Sequence, residues 1–399
     1  MRPTHRFIAA TTVDALGNGL YVPFSLLFFH NLTGLSLLSV GAGMTAAGFI
    51  ALLLTPVAGM LIDKIGARKI LQAGFVLRLA AFAAFPFITG FTMFLVVSIA
   101  VAIGQQSAAP AQTALVAEMT GGDGRDKLLA LNRSIVNGSM GAAGILAGLL
   151  MAFSGDTAYV VMAVANAVSF GLAAVLIHGL GGVRPVTGAR QKAGFKVVLK
   201  DRPYLGITGA NLLIALSYVA MAAGMPVYLT RDLGVPQAMS GMVFAINTAM
   251  VALLGVPVAR LVLRARRTRA AALGAAIFAG SFVLFAALQL LHTGVVAGVL
   301  VAAVVYTGAE LIHSAPAQGI SVQTPPDHLR GRYLATYQLS WSIARAVAPL
   351  LITFLLGLGS WQLWAGLGAA ALLGALLLLK LERILPREAV HPVKYVTAA

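Results

Sequence analysis

Of 399 residues, 59% are hydrophobic and 10% are charged, where a soluble domain carries roughly 25% charge. Adding the 43 glycines takes the apolar share to about 70%, against roughly 45–50% on the same count for soluble chains, which excludes a water-soluble enzyme and makes lipid the solvent. The absence of cysteine excludes disulfides, thiolate metal sites, thiol nucleophiles and redox switches, and the net charge of +16 must be explained by where the basic residues fall.

A helix crossing about 30 Å of hydrocarbon at 1.5 Å per residue needs about 20 apolar residues. Twelve segments meet this, in chain order Phe7–Phe29, Leu38–Ile62, Ile70–Thr89, Met93–Met119, Leu129–Phe153, Ala158–Leu180, Tyr204–Leu229, Met239–Leu263, Ala270–Leu290, Val295–Val322, Tyr333–Leu356 and Trp361–Leu381. The fold class is therefore an all-α membrane protein. The first segment follows Arg2 and Arg6 but is too long for a signal peptide and contains Asp14, so it is expected to be retained.

Cytoplasmic loops collect Lys and Arg. With the N-terminus placed inside, Arg78, Arg133 and Arg345 lie within segments and Arg231 lies outside; the remaining 24 of 28 basic residues fall on one side. The charge is a topology signal, and both termini are expected in the cytoplasm of a multi-pass cell-membrane protein. Nucleic-acid binding would need these charges on one folded surface with stacking aromatics, and they are scattered over short loops.

The polar run Gly181–Pro203 divides the chain into residues 1–180, a cytoplasmic linker 181–203, residues 204–383 and a tail 384–399. The two six-segment halves are related. Thr55-Pro56-Val57-Ala58 matches Val256-Pro257-Val258-Ala259, and Ala109-Pro110-Ala111-Gln112 recurs as Ala315-Pro316-Ala317-Gln318, at offsets of 201 and 206 residues. Parallel repeats of this kind build transporters whose halves rock about a site near the bilayer midplane.

Between segments two and three the chain reads Gly59-Met-Leu-Ile-Asp63-Lys64-Ile-Gly66-Ala67-Arg68-Lys69. Gly59 permits close helix approach, Gly66 a tight turn, and Asp63 meets basic groups or a helix N-terminus. This loop resembles the signature loop of the major facilitator superfamily. Over residues 5–385 the resemblance implies two pseudo-symmetric six-helix bundles, alternating access, and a cavity lined by helices one, four, seven and ten. It also implies a conformational latch in which Asp63 engages the start of helix eleven near Arg332 and Arg68 pairs with Glu118. In the second half Asp63 aligns with Arg264 and Gly59 with Arg260, so one latch is expected. Within the superfamily the chain looks most like the drug-efflux proton antiporters, although Ala143–Gly148 in helix five lacks the proline of their signature.

An ionised side chain at bilayer depth costs roughly 2.5–3.5 kcal/mol on insertion scales, so each needs a partner or a purpose. Asp14, Asn18, Tyr21 and Ser25 share one face of helix one. Asp14 has two open readings, a structural ion pair with Arg78 or Arg133, or proton and substrate handling. On helix ten Tyr306, Glu310, His313 and Ser314 share a face, with Arg345 at similar depth on helix eleven. A buried carboxylate without a permanent cation takes up and releases protons as access alternates, which a fixed Arg partner suppresses. Glu310 is accordingly the expected coupling acid, with Arg345 a partner at changing distance. His313 is either a proton relay or a packing residue. Gln105 and Gln106 on helix four and Tyr218, Met221 and Met225 on helix seven are cavity candidates. Asn137, Gly141, Gly144 and Gly148 give helix five a small-residue stripe.

No Walker loop and no catalytic constellation occur; an enzyme, a cofactor and a metal site are not expected. The reading is a monomeric, proton-coupled exporter of small apolar or amphiphilic compounds. The runner-up is an importer of a small organic anion or sugar, kept open by Arg78, Arg133 and Arg345. A third class is a transporter-like sensor or lipid flippase.

Overall fold

A computed structural model of the chain describes residues 3–120, 122–154, 157–180, 196–262, 264–326 and 329–391. Among these, twelve long helices follow one another: α1 (Pro3–Thr33), α2 (Leu37–Ile65), α3 (Ala67–Ala84), α4 (Phe91–Met119), α5 (Gly122–Ser154) and α6 (Thr157–His178), then α7 (Arg202–Asp232), α8 (Ala238–Val262), α9 (Arg267–Leu290), α10 (Val295–Gln323), α11 (Arg330–Leu358) and α12 (Ser360–Leu381). Eleven are long and apolar enough to cross a membrane. The twelfth, α3, carries Arg68, Lys69 and Arg78 and begins three residues before the expected Ile70, because those cations hide its first turn from a hydropathy reading. Most of the expected linker, residues 181–195, and the end of the tail lie outside the described residues. At α7 the chain re-enters a helix through Asp201, whose carboxylate accepts the Tyr204 N–H at 3.0 Å.

The duplication is written in the packing. Within the first half α1 packs on α5 and α6, α2 on α4, and α3 on α4 and α6. Adding six to every number gives the packing of the second half, α7 on α11 and α12, α8 on α10, and α9 on α10 and α12. Proline marks the same correspondence. Pro56 and Pro257 lie inside α2 and α8, and Pro110 and Pro316 inside α4 and α10. A further pair, Pro23 and Pro226, accompanies departures from α geometry in α1 and α7, a 3₁₀ turn at Val22–Phe24 and a π turn at Tyr228–Asp232. The two bundles are held by aromatic clusters, in which Phe29 stacks on Phe85 at 4.8 Å and Phe285 on Trp364 at 5.1 Å.

The halves meet along α2 with α11 and along α5 with α8. The contacts that join them lie away from the basic loops: the Leu350 N–H donates to Thr45 Oγ1 at 3.1 Å, Phe24 meets Phe244 edge-on, and Gly148 crosses Gly241. At the last crossing a Cβ added to Gly148 would sit 2.4 Å from the Gly241 Cα, and one added to Gly141 would sit 2.7 Å from the Thr248 methyl. The small-residue stripe of α5 is thus the inter-half seam; only Gly144 turns towards α1, and Asn137 is exposed. Nearer the basic loops α2 and α8 expose Met60 and Leu261, at 54% and 65%. Gly148→Leu is expected to part α5 from α8, since overpacking against backbone costs about 1–3 kcal/mol. A cysteine at Thr248, in a chain that otherwise has none, should then react faster with a thiol reagent. An unchanged rate would contradict the seam.

Candidate functional site

Helix one turns its acid inward, where it finds a cation. Asp14 Oδ1 lies 3.0 Å from Arg78 Nη1, and the Asn18 amide donates to the same carboxylate oxygen and to the Asp14 carbonyl, both at 2.9 Å. Arg78 is fully buried. Its guanidinium lies over the Phe170 ring at 4.3 Å and the Phe75 ring at 5.0 Å, and also donates to Gln105 Oε1 at 2.9 Å. Desolvation of this charge is offset by a carboxylate, an amide and two ring faces. Of the two readings of Asp14, this arrangement is the ion pair. The Arg133 side chain lies outside the described residues.

Glu310 is placed differently. Its Oε2 accepts from the Asn247 amide of α8 at 2.8 Å, and the same amide reaches Thr307 Oγ1 at 3.2 Å. Among the described residues no ion pair joins Glu310 to Arg345 or to any other cation. The expected Glu310–Arg345 partnership, one of changing distance, is open in this arrangement. Asn247 is a member of the site that sequence reasoning missed.

The other second-half candidates pack among the helices, and His313 takes the packing reading of its two. His313 is 3% exposed, its Nδ1 donates to the Ala271 carbonyl at 3.0 Å, and a Cβ added to Gly274 would sit 2.7 Å from its backbone nitrogen and Cβ; it packs α10 against α9. Tyr306 is buried, donates to the Ser217 carbonyl at 3.0 Å and packs on Phe278. Met225 is 1% exposed. Met221 is likewise buried, and Tyr218 packs edge-on against Phe278 and Trp341. Periodicity placed these residues on shared faces, but the faces look into the bundle rather than into a cavity. Ser314 is exposed.

Cavity residues do gather elsewhere. Tyr21, Ser25, Gln105 and Gln106 line a space of about 210 Å³ between α1, α2 and α4 of the first half and α11 of the second, which contributes Ser342 and Arg345. Asn18 is withdrawn from it by its bonds to Asp14.

At the signature loop Gly66 has φ +94 and links α2 to α3, a conformation that favours glycine. Among the described residues nothing lies within 4 Å of a Cβ added at Gly59, so no other helix approaches it closely in this arrangement. Arg68 bonds to the carbonyls of Leu180 and His178, at the end of α6, instead of pairing with Glu118. Glu118 in turn lies at the Ala67 backbone N–H, the start of α3. Asp63 is exposed at the end of α2.

The second half lacks the loop sequence yet keeps one of its bonds. Arg267, in the first turn of α9, donates to the carbonyls of Glu388 at 2.7 Å and of Ala389 and His391 at 3.4 Å, just beyond α12. Third-helix arginine thus closes onto backbone at the end of the sixth helix in both halves. Beside it, the Glu382 carboxylate accepts from Thr268 at 2.6 Å, Arg266 at 2.7 Å and Arg269 at 3.2 Å. Burial opposes its charge, but these donors outweigh burial and hold the carboxyl below the usual carboxylate range.

Twelve helices in two like bundles, joined at one end around a cavity with ionisable groups at mid-depth, define a membrane transporter. The Major Facilitator Superfamily family model matches residues 7–349 and 209–395, and the chain belongs to that family. It is 23% identical over 347 residues to the "Uncharacterized MFS-type transporter YhjO" of Bacillus subtilis (strain 168), covering 85% of this chain and 82% of the relative. Its fold matches the crystal structure of a D-xylose–proton symporter with TM-score 0.74 at 17% identity, covering 95% and 97% of the two chains. It also matches a bacterial homologue of the iron transporter ferroportin in an inward-facing state, with TM-score 0.76 at 18% identity over 95% and 98%.

Proposed function

We propose that the protein is a proton-coupled secondary transporter that exports small amphiphilic compounds across the cell membrane by alternating access, working as a monomer with the basic loops and both termini in the cytoplasm. The observation that carries this reading is Glu310: a carboxylate at mid-helix, held by the Asn247 amide at 2.8 Å and by no cation among the described residues. Such an acid exchanges protons with whichever compartment it faces. Asp14, neutralised by Arg78, is a structural element of the first half. A largely apolar cavity wall suits compounds with an apolar body, and the likeness to a solved proton symporter supports a proton as the coupling ion.

The contacts between the halves lie away from the basic loops, so the arrangement corresponds to access from the cytoplasm. In this reading Asp63 meets the start of α11 near Arg332 when the cytoplasmic end closes. Reconstituted into inside-out vesicles, the protein should accumulate an amphiphilic substrate when the lumen is made acidic, and should exchange it by counterflow without a gradient. Counterflow without any response to the gradient would overturn proton coupling, and labelled lipid moving in place of the solute would favour a flippase.

A further inference from the structure

We infer that the transported compound carries an anionic group, and that Arg345 of α11 holds it against the Gln105 amide and the hydroxyls of α1 and α4. The inference rests on the reading of this cavity as the transport site. Its basis is the imbalance of donors and acceptors on the cavity wall. Among the described residues Arg345 makes no hydrogen bond and no ion pair, and it is accessible from the cavity. A guanidinium offers five N–H donors and no acceptor, and at bilayer depth its charge is costly unless something supplies a counter-charge. Among the described residues no carboxylate lines the cavity.

Gln105 adds to the imbalance. Its Oε1 is taken by Arg78 at 2.9 Å; only the oxygen of an amide accepts from a guanidinium, so the NH₂ is the end left for a ligand. Ser98 lines the same wall, and its buried hydroxyl has no hydrogen-bond partner among the described residues. The Gln106 amide donates to Ser342 Oγ at 3.5 Å across the two halves, a contact long enough to be exchanged for a ligand acceptor. A carboxylate matches this set, because its two oxygens accept several N–H bonds at once and meet the planar guanidinium in parallel. Met44 and Val101 line the remaining wall and suit an apolar body. Arg345 belongs to the second half, whereas Gln105, Ser98 and Tyr21 belong to the first. A bound anion therefore ties the halves together, and an empty cavity leaves a positive charge between them.

Three probes of one shape test this: hexanoate, hexanamide and hexylamine, each titrated into the full-length protein in nanodiscs and followed by calorimetry. Hexanoate should bind at least tenfold more tightly than the other two. Arg345→Gln should remove that preference, and Arg345→Lys should keep part of it. Thermal unfolding of each variant near the parent midpoint separates loss of the contact from loss of the fold. Equal binding of hexanoate and hexanamide, binding of none of the three, or an unchanged preference in Arg345→Gln would overturn the anionic assignment. Ala47→Phe, which fills the cavity from α2, keeps the two levels apart. If it abolishes counterflow of a neutral amphiphile in the parent background, the transport site stands and only the anion fails; if it leaves all flux untouched, the transport reading itself fails.

Discussion

Glu310→Gln is expected to reduce pH-gradient-driven accumulation to the level of protein-free vesicles, while leaving ligand binding and substrate counterflow in place. Glutamine keeps the shape and still meets the Asn247 amide through its carbonyl oxygen, so the bond at 2.8 Å is retained in kind. What disappears is the exchangeable proton. Asn247→Ala should fall between parent and Glu310→Gln, because Asn247 orients the carboxylate without exchanging a proton itself. Uptake into inside-out vesicles under an imposed gradient, compared with counterflow in the same preparation, separates coupling from binding. Undiminished gradient-driven uptake by Glu310→Gln would remove this residue from the mechanism.

The second large effect is on stability. Arg78→Met leaves Asp14 buried with only the Asn18 amide, and breaking a buried pair by removing one partner costs about 3–5 kcal/mol. The same loss frees Gln105 and removes the cation from the faces of Phe75 and Phe170. Joint replacement, Asp14→Leu with Arg78→Met, should recover most of the loss, because an apolar pair of similar volume avoids desolvating two charges. Thermal unfolding in detergent of the parent, the single variants and the pair gives the cycle. A double variant no better than Arg78→Met would mean that the salt bridge is not the source of the effect. Asp14→Asn should accordingly damage folding before it damages coupling.

How much of this was legible follows from what hydropathy can see. Lipid and bundle core are both apolar, so composition located the helices but could not say which face of α10 looks inward. Tyr306 and His313 were therefore grouped with Glu310 although they turn towards α7 and α9. Asn247 gave no signal, since one neutral amide in an apolar helix has no pattern around it. The ion pair of Asp14 was one of two readings, beside proton and substrate handling, because depth alone does not show whether Arg78 or Arg133 comes close enough to neutralise it. Gly66 was read correctly, since the turn needs positive φ and the residue type reports it. Repeat symmetry was visible through Pro56 and Pro257 and through Pro110 and Pro316, which the helices place at matching positions. The matching roles of Arg68 and Arg267 were hidden, because both bond to backbone carbonyls and a carbonyl leaves no trace in a side-chain motif.

The central claim is that two bundles swing about a titratable acid. Because the chain has no cysteine, spin labels can be placed pairwise at the two ends of the same helices, Ile65 with Gly331 at the basic end and Leu38 with Leu358 at the other. Electron–electron distance measurements in nanodiscs across a pH series should show the first distance shortening as the second lengthens, and Glu310→Gln should fix both at one value over the whole series. Distances that stay constant with pH in the parent, or that move alike in parent and Glu310→Gln, would contradict the account.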